Sequence, residues 1–177
     1  MALQLDQIVE GVGAAQLAGM DQAHEQIYAM IGDYARARDY LEEVGTKGGD
    51  HGAKYVAAKS FVDGLESLGK RDFATAADQL TESMRVYPNA ETAFFDGTAA
   101  MHAERWDEAI GAFSWVLGNK ALVTSESIGT LIAWSEYNLS VCYDHKGVQS
   151  ESRKHLAKAQ ALWSAADAEV KRILEQE

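Results

Sequence analysis

A spacing of 33 residues recurs along this chain and constrains its fold more than any other feature. Four positions repeat at that distance, pairing Gly64 with Gly97, Phe73 with Trp106, Ala76 with Ala109, and Leu80 with Phe113. Looser copies precede and follow them, over 28–41 and 139–159. A period of about 33–34 residues is typical of a solenoid, in which each unit buries its apolar face only against its neighbours.

Apolar residues within each period recur at helical spacing, so each unit is predicted to be two helices joined by a short turn. The predicted pairs are 20–30 with 34–44, 55–68 with 73–87, 90–103 with 106–117, and 131–145 with 150–163. We therefore divide the chain into three parts. An N-terminal helix or leader spans 1–17, and a C-terminal capping helix spans 164–177. Four repeats lie between them, at about 18–51, 57–89, 90–119 and 131–163. The capping helix would cover the last apolar face.

Each recurring residue type has a predicted packing role. Glycine or serine at 64, 97 and 140 is expected to let two helix backbones approach closely. Alanine at 37, 76 and 109 is expected to do the same where the helices cross. The aromatic residues at 34, 73 and 106 are expected to plug their own hairpins. The large apolar residues at 41, 80, 113 and 156 are expected to carry the contact between repeats.

Four glycines crowd the segment 45–52, between the first and second predicted pairs. A phosphate-binding loop would need the spacing G-x-x-x-x-G-K-[ST] after a strand, which is not the order found here. A metal-binding loop would need more ligands than Asp50 and His51 supply. A flexible linker requires only glycine, so a linker between repeats is the expectation.

The charge balance restricts the classes of partner. With 16 Lys and Arg against 27 Asp and Glu, the net charge is −11. That charge repels phosphate backbones and anionic lipid, so neither nucleic acid nor membrane is an expected partner. A single cysteine, Cys142, excludes an internal disulfide framework and fits a reducing compartment. Since the N-terminus also lacks the pattern of a signal peptide, a cytoplasmic location is the expectation.

The repeated positions resemble the tetratricopeptide pattern, W-x2-L-G-x2-Y … A-x3-F … P. The match is strongest over 57–88 and 90–119, and it weakens where Ser140 and Ser152 replace the glycine and the alanine. It is weakest where His24 and Glu25 occupy the leucine and glycine positions. The resemblance implies an all-α, right-handed α-solenoid of three to four helix hairpins plus a C-terminal capping helix. The ending 161–167 is similar to tetratricopeptide tails of bacterial signalling and regulatory proteins, which implies a regulatory tail.

The same resemblance implies a concave groove lined by the first helix of each pair, where such proteins hold a peptide or a partner helix. The positions that would line it are Phe61, Leu65, Phe94, Thr98, His102, Trp134, Tyr137, Asn138, Val141 and His145. This aromatic strip favours a protein or peptide partner with apolar anchors. The chain does not resemble chaperone-tail receptors, because their basic clamp positions correspond here to Gln22, Gln26, Phe94 or Phe95, Trp134 and Asn138.

Two other interpretations of the strip stay open. On the first, Phe61, Phe94 and Tyr137 pack inside the superhelix or against residues 1–17, since aromatic residues at helical spacing are usually core. On the second, the strip pairs with itself in a homo-oligomeric assembly, because a lone monomer rarely exposes so apolar a patch.

The sequence contains no recognisable catalytic constellation, so the chain is expected to be non-enzymatic, without a cofactor or a metal. His145 and His155 are expected to meet across one hairpin with Asp144 nearby, which supplies few ligands for a metal site. His102 and His145 occupy equivalent positions of successive repeats, about 10 Å apart. Cys142 has no expected His or Asp partner and is interpreted as an inert, small apolar residue.

Overall fold

In a computed structural model, every described element is an α-helix. The structure describes residues 24–48, 52–119 and 128–164. In chain order the helices are α1 (His24–Met30), α2 (Tyr34–Gly48), α3 (Ala53–Gly69), α4 (Phe73–Val86), α5 (Ala90–His102), α6 (Trp106–Gly118), α7 (Ile128–His145) and α8 (Gln149–Leu162). From α3 to α8, each helix begins and ends within three residues of the position that the apolar pattern predicted.

The described helices form four consecutive hairpins, α1–α2, α3–α4, α5–α6 and α7–α8. Each second helix packs against the first helix of the next hairpin, α2 on α3, α4 on α5 and α6 on α7. The first helices also pack against one another, α1 with α3, α3 with α5 and α5 with α7. The first helices therefore form an inner layer and the second helices an outer layer. Packing that runs from neighbour to neighbour is the solenoid arrangement.

Each hairpin turns through one residue with a left-handed backbone, placed two residues before the second helix. These residues are Gly32 (φ 84°), Arg71 (φ 62°), Glu104 (φ 59°) and Gly147 (φ 73°). Glycine adopts this region freely, whereas any other side chain there raises the energy of the folded state. The second and third hairpins thus carry a strained turn residue that the first and fourth hairpins avoid.

Two inner-layer glycines make room for a large side chain from the second helix of the same hairpin. A Cβ on Gly64 would lie 2.6 Å from Leu80 Cγ, and one on Gly97 would lie 2.8 Å from Phe113 Cε1. The atoms that exclude a Cβ at both positions belong to a side chain, whereas the expected backbone approach is seen only at Gly64, where the Ala76 backbone oxygen lies 3.5 Å from the Cβ position. Leu80 and Phe113 accordingly pack within their own hairpins as well as in the core shared between repeats.

The aromatic residues that begin the second helices contact the last residue of the next inner helix. The pairs are Tyr34 with Gly69, Phe73 with His102, and Trp106 with His145. In the first pair, the Tyr34 hydroxyl fills the space where a Gly69 side chain would lie and donates to the backbone oxygen of Leu65 at 3.1 Å. These rings therefore join each hairpin to the next, a contact that the expected role of plugging their own hairpins did not include.

The glycine-rich segment also departs from the prediction. Helix α2 continues through Gly45 and ends at Gly48, so the expected linker over 45–52 is helical in its first half. A glycine in a helix costs only about 1 kcal/mol relative to alanine, which is too little to end the hydrogen-bond ladder at Val44. Residues 49–51, the predicted N-terminal helix or leader (1–17), most of the insertion after 119 and the predicted capping helix beyond Ser164 lie outside the described residues.

Candidate partner-binding face

The predicted groove residues lie on the inner helices α3, α5 and α7. Three of them, Phe61, Leu65 and Asn138, are buried. Two others, His102 and His145, are exposed. The remaining five are partly buried, namely Phe94, Thr98, Trp134, Tyr137 and Val141. The surface available to a partner is therefore centred on α5 and α7. Binding by these residues stays a prediction.

Between the second and third hairpins the aromatic rings pack on one another. The Phe95 ring lies edge to face on Phe61 and on Phe94, with centroids 6.0 Å and 5.8 Å away. The Phe94 ring also lies 5.9 Å from that of Phe113, which is fully buried. Internal packing thus holds the whole Phe61 ring and one side of the Phe94 ring. Phe95, which the sequence indicates only as a clamp position, lies at the centre of this cluster.

In the fourth hairpin the aromatic rings pack on two small apolar residues. Trp163, which follows α8, lies edge to face on Trp134 with the centroids 4.8 Å apart. Trp134 is in turn edge to face with Tyr137 at 5.7 Å. Ala133 and Ala159, both fully buried, pack beneath these rings. The fourth hairpin therefore covers this part of its inner surface with its own side chains.

The two predicted groove histidines stack on aromatic rings. The His102 ring lies 4.8 Å from Phe73 at an interplanar angle of 24°, and the His145 ring lies 4.2 Å from Trp106 at 9°. Each histidine ends an inner helix, and each stacks on the outer helix of the preceding hairpin. They therefore belong to the contacts that join successive hairpins, although both remain exposed.

His155 has partners other than the predicted His145. Its ring stacks on Tyr143 at 5.4 Å, and its Nδ1 lies 2.5 Å from a carboxylate oxygen of Glu136. Lys158 Nζ lies 3.4 Å from the other oxygen of that carboxylate. Within residues 24–48, 52–119 and 128–164, no three His, Cys, Asp or Glu side chains are grouped so that they could hold a metal ion.

A pocket that the sequence pattern does not indicate opens beside the second hairpin. Its lining includes Ala58 and Phe61 from α3, Ser83 near the end of α4, Tyr87 directly after that helix, and Thr92 from the start of α5. Thr92 is fully buried, and its hydroxyl has no hydrogen-bond partner among the described residues. The pocket shares Phe61 with the predicted groove.

One position of the repeat carries an aspartate in the second and third hairpins and a leucine in the fourth. They are Asp63 in α3, Asp96 in α5 and Leu139 in α7. Burial raises the pKa of Asp63, but hydrogen bonds from Lys59 and Arg38 outweigh it, so the pKa lies below its usual range. Asp96 accepts from a neutral donor, Thr81 Oγ1, at 3.0 Å. Burial therefore dominates there and raises the pKa of Asp96 from 3.8 to about 6.

Cys142 lies fully buried in α7. Burial raises the pKa of its thiol to about 11. Because the thiolate is the reactive form, a thiol that stays protonated is a poor nucleophile and a poor metal ligand. The chemistry around Cys142 therefore agrees with the inert role expected from the sequence.

The described helices define an α-solenoid of the tetratricopeptide type, as the sequence predicted. The solved structure of MamA AMB-1, a tetratricopeptide-like helical protein, is similar to this chain with a TM-score of 0.56. The match covers 86% of this chain and 76% of that one at 22% identity, a level at which it shows the fold alone. No protein-family model matches the chain, and no curated protein matches it. None of the described helices has the length and apolar character needed to cross a membrane.

Proposed function

We propose that this chain is a non-enzymatic protein-interaction scaffold whose inner face binds a peptide or a partner helix through apolar anchors. The observation that carries the proposal is the set of partly exposed rings on neighbouring inner helices, Phe94, Trp134 and Tyr137. Each ring is held edge to face by an internal neighbour, so little side-chain freedom is left to lose on binding. Ordered aromatic side chains of this kind dominate binding energy at protein interfaces.

The fold supports the same proposal at a coarser level. Solenoids present a long inner surface made of equivalent helices, and such surfaces are commonly used to bind other proteins. The narrower hypothesis, a cytoplasmic regulatory tail of a bacterial signalling protein, is supported by the resemblance of 161–167 and by the single buried cysteine. Fold similarity alone does not define a function, so the inner face needs a direct test.

Selection of peptides from a displayed random library provides that test. We expect recovered peptides to carry apolar anchors and to lose at least about tenfold in affinity when Val141→Arg places a charge on the inner face. Val141 is partly buried on α7, whereas Ala157 is exposed on α8, so Ala157→Arg is the matched control. Recovery of no peptide, or equal losses in both variants, would contradict the proposal.

Self-association through the same rings is the second candidate function. It draws on the same partly exposed surface, which a second copy would cover as well as a peptide would. The net charge of −11 opposes it, because two copies repel each other at low ionic strength. Light scattering over a wide range of protein concentrations separates the two candidates. A mass that stays monomeric removes self-association, and a defined oligomer that Val141→Arg dissociates would replace the peptide-binding proposal.

A further inference from the structure

We propose that the pocket beside the second hairpin receives an aromatic side chain, tryptophan or tyrosine, from a bound peptide. In the fourth hairpin the equivalent pocket is filled by the chain's own rings and shows how such a side chain would be held. This inference rests on the proposed function and names the anchor that the inner face selects.

The two hairpins align position by position at an offset of 76 residues, which places Gly64 on Ser140. Five residues around the pocket have counterparts around the ring cluster of the fourth hairpin. The pairs are Ala57 with Ala133, Ala58 with Trp134, Phe61 with Tyr137, Ser83 with Ala159, and Tyr87 with Trp163. The pocket and the ring cluster are therefore the same site of the repeat, empty in one hairpin and filled in the other.

The fourth hairpin fills this site with two indole rings. Trp163 directly follows α8 and keeps a near-helical backbone, with φ −88° and ψ 0°. That backbone directs its side chain inward, and the residue is only 8% exposed. Its ring meets Trp134, which stands where the second hairpin has Ala58.

The second hairpin leaves the site open for two reasons that can be read from its residues. The first is size, since the methyl group of Ala58 replaces an indole ring. The second is Pro88, because the residue before a proline is disfavoured in the helical region. Tyr87 accordingly has an extended backbone, with φ −146° and ψ 89°. Its ring is 41% exposed and lies under Lys54 Nζ at 5.4 Å, so that both side chains border the pocket without filling it.

The lining of the pocket indicates which side chain would bind. The buried Phe61 ring forms an aromatic base, against which another ring can pack edge to face as Trp134 packs on Tyr137. The Thr92 hydroxyl is buried and has no hydrogen-bond partner within the described part of the chain, a state that raises the energy of the unoccupied protein. An indole N–H or a phenol O–H would supply that partner, whereas phenylalanine and leucine side chains cannot. The pocket therefore favours tryptophan and tyrosine.

A titration with N-acetyl-tryptophanamide, followed by two-dimensional amide NMR of the full chain, tests the pocket directly. We expect saturable shifts at the amides of Ala58, Ser83 and Thr92, with a dissociation constant on the order of 0.1–1 mM for so small a probe. N-acetyl-leucinamide is expected to bind at least about fivefold more weakly, because its side chain has neither an aromatic ring nor an indole N–H. The absence of saturable shifts at these amides, or equal binding of the two probes, would overturn the proposal.

Filling the pocket from within provides the matched variant. Ala58→Trp copies the fourth hairpin and is expected to weaken binding of the tryptophan probe at least about tenfold without lowering the melting temperature. Ala58→Leu is a smaller filler that keeps the test valid should the larger side chain impair folding. Thr92→Val removes only the hydroxyl and is expected to abolish the preference for tryptophan over phenylalanine probes. Probe binding that survives both Ala58 variants would contradict the assignment.

The peptide library separates failure of this inference from failure of the proposed function. Peptides that lack a tryptophan or tyrosine, or that bind Ala58→Trp as well as the wild type, would overturn the anchor while leaving the scaffold in place. Val141→Arg is expected to weaken peptide binding by at least the same tenfold and to leave the probe titration unchanged, because Val141 does not line the pocket.

Discussion

The second and fourth hairpins occupy equivalent parts of the repeat, yet one continues the solenoid and the other is suited to end it. The contrast is clearest on the outer helix, at the three positions directed toward a following hairpin. The second hairpin has Phe73, Ala77 and Met84 there, and the fourth has Gln149, Arg153 and Gln160. Phe73 stacks on His102, and Met84 packs against the buried alanines of α5. The three residues of the fourth hairpin are exposed and polar, as a terminal repeat requires.

The inner side of these hairpins shows the reverse pattern. There the fourth hairpin is closed by Trp134 and Trp163, and the second is open above Ala58. The second hairpin is already held on both sides, since α3 packs against α1, α2 and α5. The fourth hairpin has only one described neighbour, the third hairpin, and its own rings cover its inner surface. A repeat that is supported by its neighbours is thus free to leave its inner surface open to a ligand.

Removal of the C-terminal ring from each hairpin should give the largest difference between them. Trp163→Ala empties a filled site and is expected to lower the free energy of unfolding by about 3–5 kcal/mol. Tyr87→Ala removes an exposed ring and is expected to change it by less than about 1 kcal/mol. Urea denaturation measures both values. Equal losses would show that the two sites are not an open and a filled form of one structure.

The aspartates at the equivalent position of α3 and α5 should respond oppositely to pH. The pKa of Asp96 rises from 3.8 to about 6 on folding, so the folded state binds the proton more tightly and stability falls as the pH rises across that interval. Ionised Asp96 therefore destabilises the fold above pH 6, by at most about 3 kcal/mol. The free energy of unfolding of Asp96→Asn should therefore increase relative to that of the wild type as the pH rises from 4 to 7. Urea denaturation at each pH measures both values.

Asp63 provides the control for that experiment. Its pKa is lowered in the folded state, so its ionised form stabilises the fold above the ordinary pKa, and that contribution is lost on acidification. Asp63→Asn should therefore lose stability relative to the wild type as the pH rises through 4. Parallel trends for the two variants would contradict the different electrostatic surroundings of these carboxylates.

The turn residues should give the smallest effects, of opposite sign in the two hairpins. Arg71→Gly relieves a left-handed backbone at φ 62° and is expected to stabilise the protein by up to about 1 kcal/mol. Gly147→Ala introduces the same strain at φ 73°, where no atom would obstruct the new methyl group, and is expected to destabilise by about 1 kcal/mol. Thermal unfolding curves compare them. The same sign for both variants would exclude backbone strain as the cause.

The period of the sequence predicted the helices because helix pairs, turns and buried small residues follow from local spacing alone. Contacts between repeats were harder to predict, since the stacking of Trp106 on His145 joins residues 39 positions apart. The end of α2 was missed because glycine weakens a helix without ending it. One difference in the sequence does distinguish the open site from the filled one. Tyr87 precedes a proline, whereas the equivalent Trp163 precedes a serine. The meaning of this difference depends on the backbone of Tyr87, which periodicity does not describe.

A crystal structure of the Ala58→Trp variant tests the central claim most directly, because it compares the two hairpins within one molecule. We expect the introduced indole to lie on Phe61 as Trp134 lies on Tyr137, with α3 and α4 unmoved. An introduced side chain that projects into solvent, or helices that separate to admit it, would contradict the claim that the second hairpin holds an open copy of the filled site.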